Sequence, residues 1–145
     1  MGLINWLINL LRKEQTIPII HGKEVTSKEV IELLTPFTDR QWISDGVFEC
    51  IITSNLRTFL INDRVSKRIY KQESFDCDDY SYSLMGNITQ WYPEGSIGII
   101  WGLNKYGEPH AWNFFINEDK QIMFIEPQND MIFSPTTERT WVMII

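Results

Sequence analysis

The sequence predicts an α+β fold, with helices in the first part of the chain and an antiparallel sheet after them. Three observations carry this. Apolar residues recur at helical spacing in several segments up to Trp91. Tyr92-Pro93-Glu94-Gly95 then ends the last of these segments. Downstream, short apolar runs alternate with turn residues. The 145 residues fit one domain, with a helical N-terminal part over 1–71 and a part over 72–145 that holds the sheet and the chemistry-bearing motifs.

The opening segment 2–12 places Leu3, Ile4, Leu7, Ile8, Leu10 and Leu11 at helical period, with Asn5 and Asn9 on the other face. Arg12 and Lys13 follow the apolar stretch instead of preceding it, the wrong order for a signal peptide, and the stretch is too short to span a membrane. It reads as an amphipathic helix that docks on the domain or meets a protein partner or a membrane surface. Ile17-Pro18-Ile19-Ile20 is short and extended. Thr26-Ser27-Lys28-Glu29 is a capping box opening a helix with Val30, Ile31, Leu33 and Leu34 on one side, closed by Pro36.

After the Ser44-Asp45-Gly46 turn, apolar positions 47, 48, 51, 52, 56, 59 and 60 predict a third helix over 47–60. Residues 63–74 are polar and predict a loop. A helix follows from Cys77 to about Trp91, with Asp76 as its N-cap. Strands are expected over 97–103, 110–116, 122–125, 131–133 and 140–145.

Hydrophobic residues make up 43% of the chain and aromatics 13%, the composition of a packed globule and not of a disordered segment. Thirteen Lys and Arg against nineteen Asp and Glu give a net charge of −6. No basic stripe with interleaved aromatics tracks a phosphate backbone, so nucleic acid is not an expected partner. Cys50 lies in an apolar run and Cys77 in an acidic one. Both read as reduced, which fits a cytoplasmic setting.

Chemistry concentrates at Phe75-Asp76-Cys77-Asp78-Asp79-Tyr80. The positive end of a helix starting at Cys77 favours a thiolate there by about 0.3–1 kcal/mol. The carboxylates of Asp76, Asp78 and Asp79 oppose it by like-charge repulsion. Two arrangements remove the conflict. Either the acids cap the helix as a solvated first turn, or they bind a hard cation such as Ca²⁺, which collects carboxylate oxygens.

His110 opens a strand and Glu126 closes the next one. If the turn between these strands is Glu118-Asp119-Lys120, Ile116 pairs with Ile122 and Phe114 with Phe124, and Glu126 falls diagonal to His110 on one face. A two-residue turn would place Ile125 there instead. In the first register, a nucleophile, a base and an orienting carboxylate can converge. His21, in the polar turn His21-Gly22-Lys23, is expected on the surface. There is no zinc spacing, glycine-rich phosphate loop or Gly-x-Ser-x-Gly elbow.

At Phe75-Asp76-Cys77-Asp78-Asp79-Tyr80, His110-Ala111-Trp112-Asn113 and Ile125-Glu126-Pro127-Gln128, the chain resembles the papain-like cysteine protease domain of the fairy-ring mushroom (Marasmius oreades) agglutinin family. The resemblance covers residues 72 to 133. It implies a papain-like fold in which a central Cys-bearing helix packs on the antiparallel sheet. It also implies a calcium-activated hydrolase with a triad at Cys77, His110 and Glu126, and an acidic calcium cluster at Asp76, Asp78 and Asp79. Gln72 is the candidate for the oxyanion-hole glutamine of papain-like enzymes. The sugar-binding β-trefoil of the mushroom protein has no counterpart in residues 1–71.

Two functions are therefore expected. The first is a cysteine hydrolase acting on a peptide or protein substrate, with a cell-wall peptide amidase as a neighbouring version. The second is a non-catalytic protein of the same fold, for example from a phage or other mobile element, that blocks a host factor by protein–protein contact.

Overall fold

In the computed structural model, the described residues are 16–145, so the expected amphipathic helix over 2–12 lies outside them. Strand β1 (Glu24–Thr26) leads directly into helix α1 (Ser27–Leu34). As the capping box predicts, Glu29 N–H donates to Thr26 Oγ1 at 3.3 Å and the Glu29 carboxylate accepts from Thr26 N–H at 2.8 Å. Strands β2 (Gln41–Trp42) and β3 (Val47–Glu49) follow, then helix α2 (Thr53–Asn62) and a single 3₁₀ turn at Val65–Lys67.

Helix α3 spans Cys77–Trp91. The last five strands are β4 (Ile97–Leu103), β5 (Pro109–Ile116), β6 (Ile122–Glu126), β7 (Met131–Phe133) and β8 (Arg139–Ile144). They form, with β2, a six-stranded sheet of order β2-β8-β4-β5-β6-β7. Its neighbours are antiparallel except at the β2–β8 edge, which is parallel. Strands β1 and β3 make a separate antiparallel pair.

The expected helical N-terminal layer is corrected. Among the described residues three α-helices stand beside eight strands, and β-structure organises both halves of the chain. The expected helix over 47–60 fails at its start because its first residues spend their backbone donors on distant partners. Glu49 N–H donates to Glu94 O, Cys50 N–H to Lys23 O and Ile51 N–H to Ile116 O, each within 2.8 Å. The helix begins only at Thr53, where the Glu118 carboxylate accepts from Thr53 N–H at 3.0 Å and from its hydroxyl at 2.7 Å. An N-terminal carboxylate borrowed from 65 residues away leaves no local trace in the sequence.

Both faces of the large sheet are covered. Ile100, Trp112, Phe114, Phe124 and Met143 pack with Val30 and Leu34 of α1 and with Phe48. On the other face, Ile97, Phe115 and Ile125 pack with Leu56 and Leu60 of α2 and with Tyr80, Leu84 and Ile88 of α3. The segment before β1 is strapped to the second layer by side chains. Asn55 bonds Pro18 O and Ile20 N–H, the Trp91 indole donates to Ile17 O at 2.8 Å, and Gly22 N–H donates to the Tyr92 hydroxyl at 3.1 Å. A Cβ at Gly22 would sit 1.9 Å from Cys50 O, so only glycine lets the strap run this close.

Candidate functional site

The site forms where the N-terminus of α3 meets the start of β5. Lys71 and Phe75 close a tight turn through reciprocal backbone bonds of 2.8 and 2.7 Å, with Glu73 at φ +59° inside it. Asp76 then caps the helix from an extended conformation, and Cys77 is its first residue. The Tyr80 hydroxyl donates to Arg68 O at 2.5 Å, fastening the first turn of α3 to the preceding loop. One layer down, Asn113 of β5 is fully buried and its amide donates to Ser81 O in α3 and to Gly98 O in β4, both at 3.0 Å. Helix and sheet are thus held at one depth and one rotation.

The β5–β6 register is the one that the three-residue turn predicts. Ile116 pairs with Ile122, Phe114 with Phe124 and Asn113 with Ile125. Lys120 takes the left-handed φ of +56° that ends such a turn. That register carries Glu126 to His110. The His110 Nε2 lies 2.7 Å from Glu126 Oε2, and both side chains are largely buried.

The other face of the imidazole problem is the sulfur. The Cys77 side chain is close enough to His110 to act on the ring, and since Nε2 holds Glu126, Nδ1 is the nitrogen free of that bond. Burial pushes the His110 pKa down, but Cys77 and Glu126 together outweigh it and hold the ring at about 9. At neutral pH this imidazole therefore carries a proton. The Trp112 indole stacks beside His110, with ring planes 19° apart and centroids at 5.9 Å.

The acids separate into two roles. The Asp79 carboxylate turns back to accept from Asp76 N–H at 3.2 Å. Asp76 and Asp78 stay beside the sulfur, and ligand atoms of Asp76, Cys77 and Asp78 lie within 4.8 Å of one another. The neighbouring Asp76 carboxylate, burial, and the charges of Asp76 and Asp79 raise the pKa of Asp78. This oxygen-rich corner suits a hard cation in donor type, with Asp76 and Asp78 as its carboxylate ligands.

Cys77, His110 and Glu126 are brought together, and Asp76 and Asp78 adjoin them. Gln72 is not part of that cluster as it stands. It is exposed within the Lys71–Phe75 turn, and its amide makes no hydrogen bond among the described residues. His21 is on the surface as expected but is paired, its Nδ1 2.8 Å from Glu49 Oε2. The sequence reading missed Asn113 and Tyr70. Asn113 has one available signal, an amide in the middle of an otherwise apolar strand. Tyr70 lies near enough to Asp76, Cys77 and Glu73 that, after burial, their charges raise its pKa.

The family model for Agglutinin C-terminal matches residues 50–132, more than half of the chain. The chain belongs to the Agglutinin C-terminal family. No curated protein matches this agglutinin domain by sequence. Among solved structures, it is similar to a PSL1a-E64 complex, with TM-score 0.73 and 19% identity over 84% of this chain and 51% of that one. It is also similar to the Polyporus squamosus lectin bound to the human-type influenza-binding epitope Neu5Aca2-6Galb1-4GlcNAc. That match has TM-score 0.69 and 20% identity, covering 84% of this chain and 49% of that one. The agglutinin domain thus spans about half the length of the solved chains it matches.

These findings correct the papain-like expectation. The fold is the one shared with a fungal lectin, a six-stranded sheet with few helices, and the family is an agglutinin family. They also overturn the two expected functions, the hydrolase of peptide or protein substrates and the mobile-element protein that blocks a host factor. The matching lectin was solved with a sialylated glycan bound, not a peptide.

Proposed function

We propose that this agglutinin domain carries a reactive thiol centre in which Cys77 is the nucleophile, His110 holds and returns the proton, and Glu126 orients the ring. The observation that carries the reading is the imidazole of His110, which holds Glu126 at 2.7 Å and has the Cys77 side chain close enough to raise its pKa. A protonated ring beside sulfur is half of a thiolate–imidazolium pair, the resting state of an activated cysteine. A neighbour of the same fold was solved in complex with E64, an epoxide that alkylates thiols, and this supports the choice of nucleophile. Gln72 belongs to the proposal only if its turn swings its amide toward the sulfur. A cation, Ca²⁺ above all, belongs to it as a partner of Asp76 and Asp78.

The test is alkylation by E64 at pH 5.5, read as adduct mass and mapped by peptide. The sulfur attacks an epoxide carbon, the C–O bond opens, and the proton of His110 passes to the new alkoxide. The adduct is expected on Cys77, absent in Cys77→Ala and slowed at least tenfold in His110→Ala, with buried Cys50 unlabelled. A Cys77 that reacts only above about pH 8, as an ordinary thiol does, overturns the reading.

A second reading is glycan recognition. It rests on the agglutinin family and on a lectin solved with a sialylated epitope, of whose chain this one covers 49%. The two readings are compatible, since the thiol centre occupies one end of α3 and leaves most of the surface for binding.

A further inference from the structure

The two most exposed large apolar side chains among the described residues, Ile61 at 80% and Ile69 at 79%, each share a hollow with Lys67. Arg57, Ile61 and Lys67 border the first hollow, together with Asp130. Lys67, Arg68, Ile69 and Lys71 border the second. The shared Lys67 makes these one continuous surface, and Arg64 adjoins Arg68 along a third hollow. All five cations are exposed, and among the described residues none of them makes an ion pair.

Three acids adjoin this surface. Asp63 accepts from the Asn87 amide at 2.8 Å and from Val65 N–H at 2.9 Å. Asp130 is partly buried, accepts from the Ser66 hydroxyl at 2.6 Å, and has its pKa raised by that burial. Glu73 is exposed in the turn after Lys71. The five cations still outnumber these acids, in a chain whose net charge is −6. An anionic partner is therefore drawn here and repelled by most of the remaining chain.

We propose that the surface carrying Ile61, Lys67 and Ile69 docks on an anionic phospholipid membrane, with the cations at the headgroups and the two isoleucines inserted between them. Charge draws the surface to acidic headgroups, and aliphatic side chains that stand clear of the protein gain by leaving water at the headgroup–acyl boundary. Lysine and arginine stems lie along apolar surface while their charged ends stay in water, which suits that depth. Tyr70, 52% exposed, adds an aromatic ring with a polar tip. No helix among the described residues is long and apolar enough to cross a membrane, so the contact is peripheral. A nucleic-acid strand fits less well, because it rewards stacked aromatics and leaves the isoleucines in water. The turn from Lys71 to Phe75 leads directly to Asp76 and Cys77, so docking carries the thiol centre close to the bilayer. The docking itself requires no reaction at Cys77.

The experiment is co-sedimentation of the full chain with vesicles of phosphatidylcholine alone and of phosphatidylcholine with about 30% phosphatidylserine, at about 20 and about 200 mM NaCl. Binding is expected to the mixed vesicles and at least about tenfold more weakly to phosphatidylcholine alone, falling about tenfold over that salt range as exposed charges are screened. The Arg57→Glu/Lys67→Glu variant is expected to lose about tenfold. Ile61→Ser/Ile69→Ser is expected to lose about fivefold while keeping the salt dependence, which separates insertion from charge attraction alone. Lys105→Glu, between β4 and β5, is expected to lose nothing. Circular dichroism checks that the variants fold. No sedimentation with either vesicle, equal binding to both, or either double variant binding as the wild type does overturns the proposal. Tighter binding to glycerophosphoserine in solution or to a single-stranded oligonucleotide than to the mixed vesicles overturns the membrane as the partner. Cys77 alkylation in solution is expected to be unchanged in both double variants, so failure here is separable from failure of the thiol reading.

Discussion

The His110 Nε2 and the Glu126 Oε2 meet at 2.7 Å although 16 residues and a strand turn separate them. A carboxylate on one nitrogen orients the ring and stabilises its protonated form. It also leaves the second nitrogen free of that carboxylate.

Removing that charge separates orientation from electrostatics. Glu126→Gln keeps a hydrogen-bonding partner but loses the anion, so the His110 pKa is expected to fall from about 9 toward its ordinary value. The rate of Cys77 alkylation between pH 6 and 8 is expected to drop about tenfold, with its pH midpoint displaced. A profile that coincides with the wild type would show that Glu126 does not act on the ring.

The same pair sets a stability window. The folded His110 pKa, about 9, lies above the unfolded value near 6.5. The protonated ring therefore stabilises the fold fully below about pH 6.5, and this contribution is lost as pH rises through about 9. The thermal midpoint of the wild type is expected to decline from pH 6.5 to 9.5, and that of His110→Gln to change less. Parallel curves for the two proteins would contradict the assignment.

Asn113 joins α3 to the sheet through two buried hydrogen bonds, to Ser81 O and Gly98 O. Asn113→Leu leaves both carbonyls without that partner, at a cost of about 1–3 kcal/mol. The loss should appear as a lower denaturation midpoint with an unchanged slope. It should also slow Cys77 alkylation, because the depth of α3 decides where the sulfur stands.

The carboxylates beside the sulfur make a separate prediction. Asp76 and Asp78 set like charges side by side, and either a divalent cation or the loss of one charge relieves them. Millimolar Ca²⁺ is expected to raise the thermal midpoint of the wild type by a few degrees and that of Asp78→Asn by much less. An equal rise in both, or none, removes the cation from this corner.

Local patterns legible in the sequence proved reliable where their partners are close along the chain. The capping box at Thr26 and Glu29, the helix from Cys77 to Trp91 and the strands from Ile97 onward all stand where periodicity and turn residues place them. The segment at Val47–Glu49 went the other way. Its apolar spacing fits a helix, but backbone partners at Lys23, Glu94 and Ile116 pulled it into extended pairing.

By itself, the sequence determined which residues can do chemistry and the order in which they occur: a cysteine at a helix start, a histidine opening one strand, a glutamate closing the next. Only the tertiary structure decided that they meet, because that depends on a hairpin register and on the depth at which α3 lies on the sheet. Such distances between remote segments are set by packing and by long-range hydrogen bonds, neither of which leaves a periodic signal in the chain.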